Sequence, residues 1–216
     1  MNLALDLDGT LITCEPRQSA VLQAAKVSVG AQFDVDRVWP LKRIGASTEH
    51  ALVQIGVDLA VAKQVADHWQ RMIEQPGWLA LDSVQPGVFG VLDKMRAQAS
   101  RLVLITARSR SEFVRPELSQ LGLAKFFDEI IVVSPRTTAD AKATCLRQKS
   151  MHAFFGDTES DWMAARTAGV PFYALTTGQR SASFLLRAGI TESFDDLAGA
   201  WNDFLKTMDV KLGKNN

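Results

Sequence analysis

Short apolar runs alternate with helix-length amphipathic segments along most of this chain, and the alternation predicts its architecture. The runs lie at 3–7, 102–105, 130–133, 153–155 and 172–175. The second is apolar at every position, as a strand buried on both faces is. Helices are predicted over 87–98, 111–121, 138–148, 159–168, 181–188 and 197–205. Pro116 is expected to break the second of these, and Gly122, Gly169 and Gly189 supply stops. Strand and helix in turn make an α/β sandwich around a parallel sheet.

The stretch 15–80 interrupts this pattern. Val21, Leu22, Ala25 and Val29 form one face of a helix over 19–29. Ser47 or Thr48 can cap a second helix, with Glu49 in its first turn and Gly56 at its end. Asp58 begins a third, striped by Val61, Val65, Trp69 and Met72 and stopped by Pro76-Gly77. The pattern predicts a compact helical insertion at 15–80 within a core made of 1–14 and 81–216. The polar tail 211–216 is expected to fray.

Composition narrows the class further. The 216 residues are 47% hydrophobic and 22% charged, enough apolar material for a substantial core. Lys plus Arg is 24 and Asp plus Glu is 24, a balance that argues against general binding to nucleic acid or a membrane surface. The two cysteines, Cys14 and Cys145, have no metal-ligand or CxxC spacing. No secretory leader precedes the first strand and no apolar run approaches the roughly 20 residues that span a bilayer. A soluble protein of the reducing cytoplasm is expected, with its oligomeric state open.

The candidate chemistry gathers at predicted strand ends, where open α/β sheets place their sites. Asp6 and Asp8 sit two apart at the end of the first run, so strand alternation points both carboxylates the same way. At about 4 Å and an effective dielectric near 20, two such charges repel by roughly 4 kcal/mol, which a divalent cation would relieve. Gly9 permits a sharp turn after them. Asp157 and Asp161 follow the fourth run, four residues apart, where they can join the first pair around one metal or serve as helix cap and first-turn acid. Thr106 and the amide of Ala107 end the second run and can donate to an anion. Lys142 can bring a cation to that anion from near a helix start, with Lys149 as the alternative about a helix length away. Arg43, in Lys42-Arg43-Ile44-Gly45, and Arg108 are further candidates for anion contact, though an exposed surface role is the commoner one for such residues.

In this order the motifs resemble the haloacid dehalogenase superfamily, in its phosphatase branch. The first stands as Asp6-Leu7-Asp8-Gly9-Thr10, the second as Leu104-Ile105-Thr106, the third as Lys142 and the fourth as Gly156-Asp157-Thr158-Glu159-Ser160-Asp161. The first and fourth are specific, and the four together span most of the chain. The resemblance implies a Rossmann-like core with an inserted helical cap like that of phosphoglycolate-phosphatase-like members. It implies Asp6 as the nucleophile that becomes an aspartyl-phosphate, and Asp8 as acid and then base. Thr106 and Lys142 would hold phosphoryl oxygens. Mg²⁺ would lie on Asp6, the main-chain carbonyl of Asp8 and Asp157, with Asp161 close by. The second aspartate of the first motif separates phosphatases and phosphomutases from dehalogenases. The implied partner is a small phosphorylated metabolite. A phosphomutase, or a phosphoryl-ligand sensor without turnover, would use the same residues.

Overall fold

A computed structural model of the chain describes residues 1–213. In chain order the elements are β1 (Asn2–Leu5), α1 (Glu15–Val29), α2 (Val38–Arg43), α3 (Thr48–Gln54), α4 (Leu59–Met72), α5 (Pro76–Leu79) and α6 (Val88–Gln98). Then come β2 (Arg101–Ala107), α7 (Ser111–Gln120), β3 (Glu129–Val133), α8 (Thr138–Gln148), β4 (Ala153–Gly156) and α9 (Glu159–Ala168). The chain continues through β5 (Phe172–Leu175), α10 (Ala182–Arg187), β6 (Ser193–Phe194) and α11 (Leu197–Gly213). The strands form one parallel sheet in the order β3-β2-β1-β4-β5-β6.

Alternate residues of the apolar runs serve opposite faces. Leu3, Leu5, Leu102, Leu104 and Phe155 belong to one buried cluster, covered by α6, α7 and α11. Ala4, Val103, Ile105 and Phe154 belong to the other, covered by α8 and α9. A run apolar at every position is therefore two period-two patterns, each with its own layer of helices. Between β1 and β2 the chain leaves the sheet, and α1 to α4 pack around a separate apolar cluster that includes Leu22, Ala51, Leu52 and Val65.

The fold is the expected α/β type, and α8 and α9 run over the expected residues. Several local details differ from expectation. The strand β1 ends at Leu5, although the Asp6 N–H still donates to the Phe155 carbonyl at 2.9 Å. Helix α1 starts at Glu15 rather than 19, with Pro16 in the first turn, where its missing N–H costs nothing. Pro76 opens the short helix α5 for the same reason, after α4 has ended at Met72. Pro116 does not break α7, whose face Val114, Glu117 and Leu118 is buried, so tertiary packing holds the helix through the lost bond. The two-residue β6 carried no periodic signal. Helix α11 runs to Gly213, past the start of the tail expected to fray; 214–216 lie outside the described residues.

The strand order places β1 next to β4 at the point where successive strands turn from one side of the sheet to the other. A crevice outside the strand C-termini forms at such a point.

Candidate active site

The turn after β1 is built on the Leu7 carbonyl, which accepts from the N–H groups of Thr10, Leu11 and Ile12, while the Gly9 N–H returns to the Ile12 carbonyl at 2.8 Å. Gly9 holds φ at +80°, and a Cβ there would lie 2.3 Å from Asp157 Oδ2 and 2.6 Å from the Gly178 Cα. Only glycine allows this approach. Through it, the loops after β1, β4 and β5 meet over one cavity of ≈ 580 Å³. Asp6, Asp8, Thr106, Ala107, Lys142 and Asp161 line it, with the segment 135–140 and Gln179-Arg180.

Asp6, Asp157 and Asp161 are buried, and one carboxylate oxygen of each lies within 4.8 Å of the others. Lys142 Nζ donates to Asp6 Oδ1 at 2.7 Å and to Asp161 Oδ1 at 2.6 Å. The other Asp161 oxygen accepts from the Thr158 hydroxyl at 2.6 Å in a capping box at the start of α9. Asp157 Oδ2 accepts from the Gln179 N–H at 2.6 Å, while its Oδ1 is buried without a partner. Burial pushes the Asp6 pKa up to about 7 even with Lys142 alongside. Burial, then Asp6 and Asp161, raise that of Asp157 well above the carboxylate range. Burial alone would lower the Lys142 pKa, but Asp161 and Asp6 hold it above the ordinary value, so its charge persists. Two of the three carboxylates share one ammonium, and the unpartnered oxygen of Asp157 belongs to the hard donor set a divalent cation prefers.

Asp8 shares the cavity but has different neighbours. Arg108 grips it as a fork, Nε to Oδ2 at 2.7 Å and Nη2 to Oδ1 at 2.8 Å. Arg17 donates to Oδ1 from the opposite element. Burial would raise the Asp8 pKa, but Arg108 and Arg17 outweigh it and hold the carboxyl below its usual range. One motif thus holds two carboxylates whose environments push them apart.

The structure brings Asp6, Asp8, Thr106, Ala107, Lys142 and Asp161 to one cavity, with Asp157 against it. Lys149, the alternative to Lys142, pairs instead with Glu129 at 2.9 Å. Arg43 does not reach the cavity: its guanidinium donates to the Thr176 and Arg180 carbonyls, because α2 docks on the loop after β5. Arg180 answers by donating to the Lys42 carbonyl at 3.0 Å. Arg108, expected as an anion contact, is occupied by Asp8, whose carboxylate matches its planar fork. Arg17, Gln179 and Arg180 were not anticipated. For the last two, position in the loop after a sheet strand was the available signal; Arg17 had none.

This arrangement of fold and site defines a class. The sequence profile of the haloacid dehalogenase-like hydrolases matches residues 3–175, and the chain belongs to that family, in its phosphatase branch. Phosphoglycolate phosphatase of Pseudomonas syringae pv. syringae is 28% identical over 210 residues, covering 90% of this chain and 76% of that protein. Phosphoglycolate phosphatase of Yersinia pseudotuberculosis is 28% identical over 194 residues, covering 82% and 81%. Among solved structures, a haloacid dehalogenase-like family hydrolase from Streptococcus pneumoniae superposes with a TM-score of 0.74 at 18% identity, over 96% of this chain and 97% of that one. No helix among the described residues is long and apolar enough to cross a membrane.

Proposed function

We infer that the protein hydrolyses a small phosphorylated metabolite through a phosphoenzyme on Asp6. The observation that carries this reading is the pairing of Asp6 with Lys142 at 2.7 Å in a cavity that also holds Asp8, Thr106 and Ala107. The ammonium uses one carboxylate oxygen of Asp6. An oxygen of Asp6 attacks phosphorus and the bond to the leaving oxygen breaks; Asp8, which carries a proton only once one of its oxygens is released from Arg17 or Arg108, supplies the leaving oxygen with that proton. Asp8 then takes a proton from water as the water attacks the aspartyl-phosphate, releasing inorganic phosphate and restoring Asp6. Thr106, the Ala107 amide and Lys142 hold the phosphoryl oxygens as charge develops on them.

The donor set fits Mg²⁺. Asp6, Asp157 and the Asp8 carbonyl would hold it, with Asp161 close by, and it would supply charge neutralisation between an anionic nucleophile and an anionic ester. The segment 15–80 acts as a cap over the core of 1–14 and 81–216, a reading supported by its separate apolar cluster. Two unbridged cysteines suit a cytoplasmic setting.

Phosphate release from phosphoglycolate, sugar phosphates, nucleotides and p-nitrophenyl phosphate, with and without Mg²⁺, tests this reading. Phosphoglycolate leads the panel because relatives sharing 28% identity carry that name. Mg²⁺-dependent release that disappears in Asp6→Asn is expected. Release that persists in that variant removes Asp6 as nucleophile, and phosphoryl transfer to a second hydroxyl without net release indicates a mutase.

A further inference from the structure

We propose that the leaving group accepted here is uncharged and hydroxyl-bearing, and that Glu74 turns away a second anion. The proposal deepens the phosphatase reading above and rests on it. A second cavity, of ≈ 270 Å³, lies between the sheet loops and the helical segment that joins β1 to β2. Asp8, Ala107, Pro135 and Gln179 line both this cavity and the larger one. With the phosphoryl group on Thr106, the Ala107 amide and Lys142, the rest of the ester extends past Asp8 into the second cavity.

Among the described residues, Arg17 and Arg108 are the cations that line it, and both are committed elsewhere. Arg17 donates from Nε to Asp82 Oδ1 at 3.1 Å and from Nη1 to the Ile73 carbonyl at 3.0 Å, while Arg108 reaches Glu117 at 3.4 Å. Asp82 and Glu117 are buried, so each guanidinium keeps a desolvated carboxylate partner after an Asp8 oxygen is released. Arg136 opens onto the larger cavity instead.

The backbone donors are taken as well. The amides of Ser109 and Arg110 lead into α7, a place where an anion is ordinarily received. Glu74 Oε1 accepts from the first at 3.1 Å and Oε2 accepts from the second at 2.7 Å. Glu74 lies two residues past α4 and lines the cavity, so the helical segment fills the anion position with its own carboxylate. What remains suits hydroxyls: the side-chain amides of Gln70 and Gln179 and the Ser109 hydroxyl line the same walls. Each can both donate and accept, as an alcohol does, whereas a carboxylate only accepts. A substrate carboxylate placed here would shed its water, meet no uncommitted cation and face Glu74.

2-Hydroxyethyl phosphate and phosphoglycolate form the test pair, because they differ only in a CH₂OH group against a carboxylate. The comparison is made at about pH 8, where phosphomonoesters have lost their second proton and Asp82, whose pKa burial pushes up to about 7, is ionised. Wild type is expected to show kcat/KM about tenfold or more higher for 2-hydroxyethyl phosphate, since like charges brought together at a binding surface are strongly disfavoured. Added NaCl is expected to narrow that gap by screening the repulsion. In Glu74→Gln the ratio is expected to fall about threefold or more, whereas a merely structural role lowers both values by one factor. Inhibition of p-nitrophenyl phosphate hydrolysis by each ester gives the same comparison where turnover of the pair is too slow to measure. Equal values for the two esters, or a preference for phosphoglycolate, overturn the proposal. An unmoved ratio in Glu74→Gln overturns the part given to Glu74; if that variant does not fold, the salt dependence of the wild-type ratio decides. A wild-type protein that releases phosphate from none of the three esters overturns instead the phosphatase reading.

Discussion

Lys142 Nζ lies 2.7 Å from Asp6 Oδ1 across a separation of 136 residues, with the lysine side chain 2% exposed. A buried ammonium at this position has a structural part of its own. It is the cation that Asp6 and Asp161 share. Removing one partner from a buried ion pair costs roughly 3–5 kcal/mol, since the charge left behind stays desolvated. Lys142→Met is expected to lose about that much in metal-free urea denaturation and to release no measurable phosphate. Stability equal to wild type would mean that the ion pair is not formed in solution.

The unpartnered Asp157 Oδ1 predicts how the protein responds to Mg²⁺. A cation that binds only the folded state stabilises it by about 2.7 kcal/mol at one hundred times its dissociation constant. Thermal melts in Mg²⁺ against EDTA are expected to show a clear rise in Tm, lost in Asp157→Asn. An unchanged Tm at saturating Mg²⁺ would remove the metal assignment.

Gly9 offers a test that leaves every proposed reacting group in place. Its φ of +80° is strained for any side chain, and a Cβ would press on Asp157 Oδ2. Gly9→Ala is expected to cost about 1–2 kcal/mol from the backbone conformation alone. It should also shrink the Mg²⁺-dependent rise in Tm by displacing Asp157. A full Mg²⁺ response in this variant would show that Asp157 can move without consequence.

Lys42 carries a pH dependence that belongs to the helical segment between β1 and β2. It is buried against Gln18 and Thr48 with its ammonium 3.9 Å from the Trp69 ring centroid. Burial pushes its pKa down to about 7 from 10.5. Between those values the unfolded chain binds the proton that the folded one has released, so this group makes stability rise with pH across that window and contributes its full penalty below it. The slope is at most about 1.4 kcal/mol per pH unit. Urea denaturation at successive pH values is expected to show wild type gaining on Lys42→Met from pH 7 upward. Parallel curves would place the ammonium in contact with water.

Local patterns carried the fold and half of the site. Strand alternation predicted that Asp6 and Asp8 share a side, and both do line the one cavity, although the strand ends at Leu5 and the turn after it places Asp8. The boundaries of α8 and α9 were legible because caps, stops and amphipathic spacing act within a few residues. Those same windows led to Thr106 and to Asp157 with Asp161, at the strand ends where sheets of this kind open.

Tertiary structure alone decided which charges meet. Arg17, Arg43 and Arg108 are alike in sequence: long charged side chains with no local signal for a partner. One bridges Asp8 to Asp82, one holds the Thr176 carbonyl and one forks onto Asp8. The same packing chose Lys142 over Lys149 and carried α7 through Pro116. A backbone conformation is chosen against its near neighbours, so sequence records it. The partner of a flexible charged tip is set by elements brought together from a hundred residues away, and its strength by the water that their packing excludes.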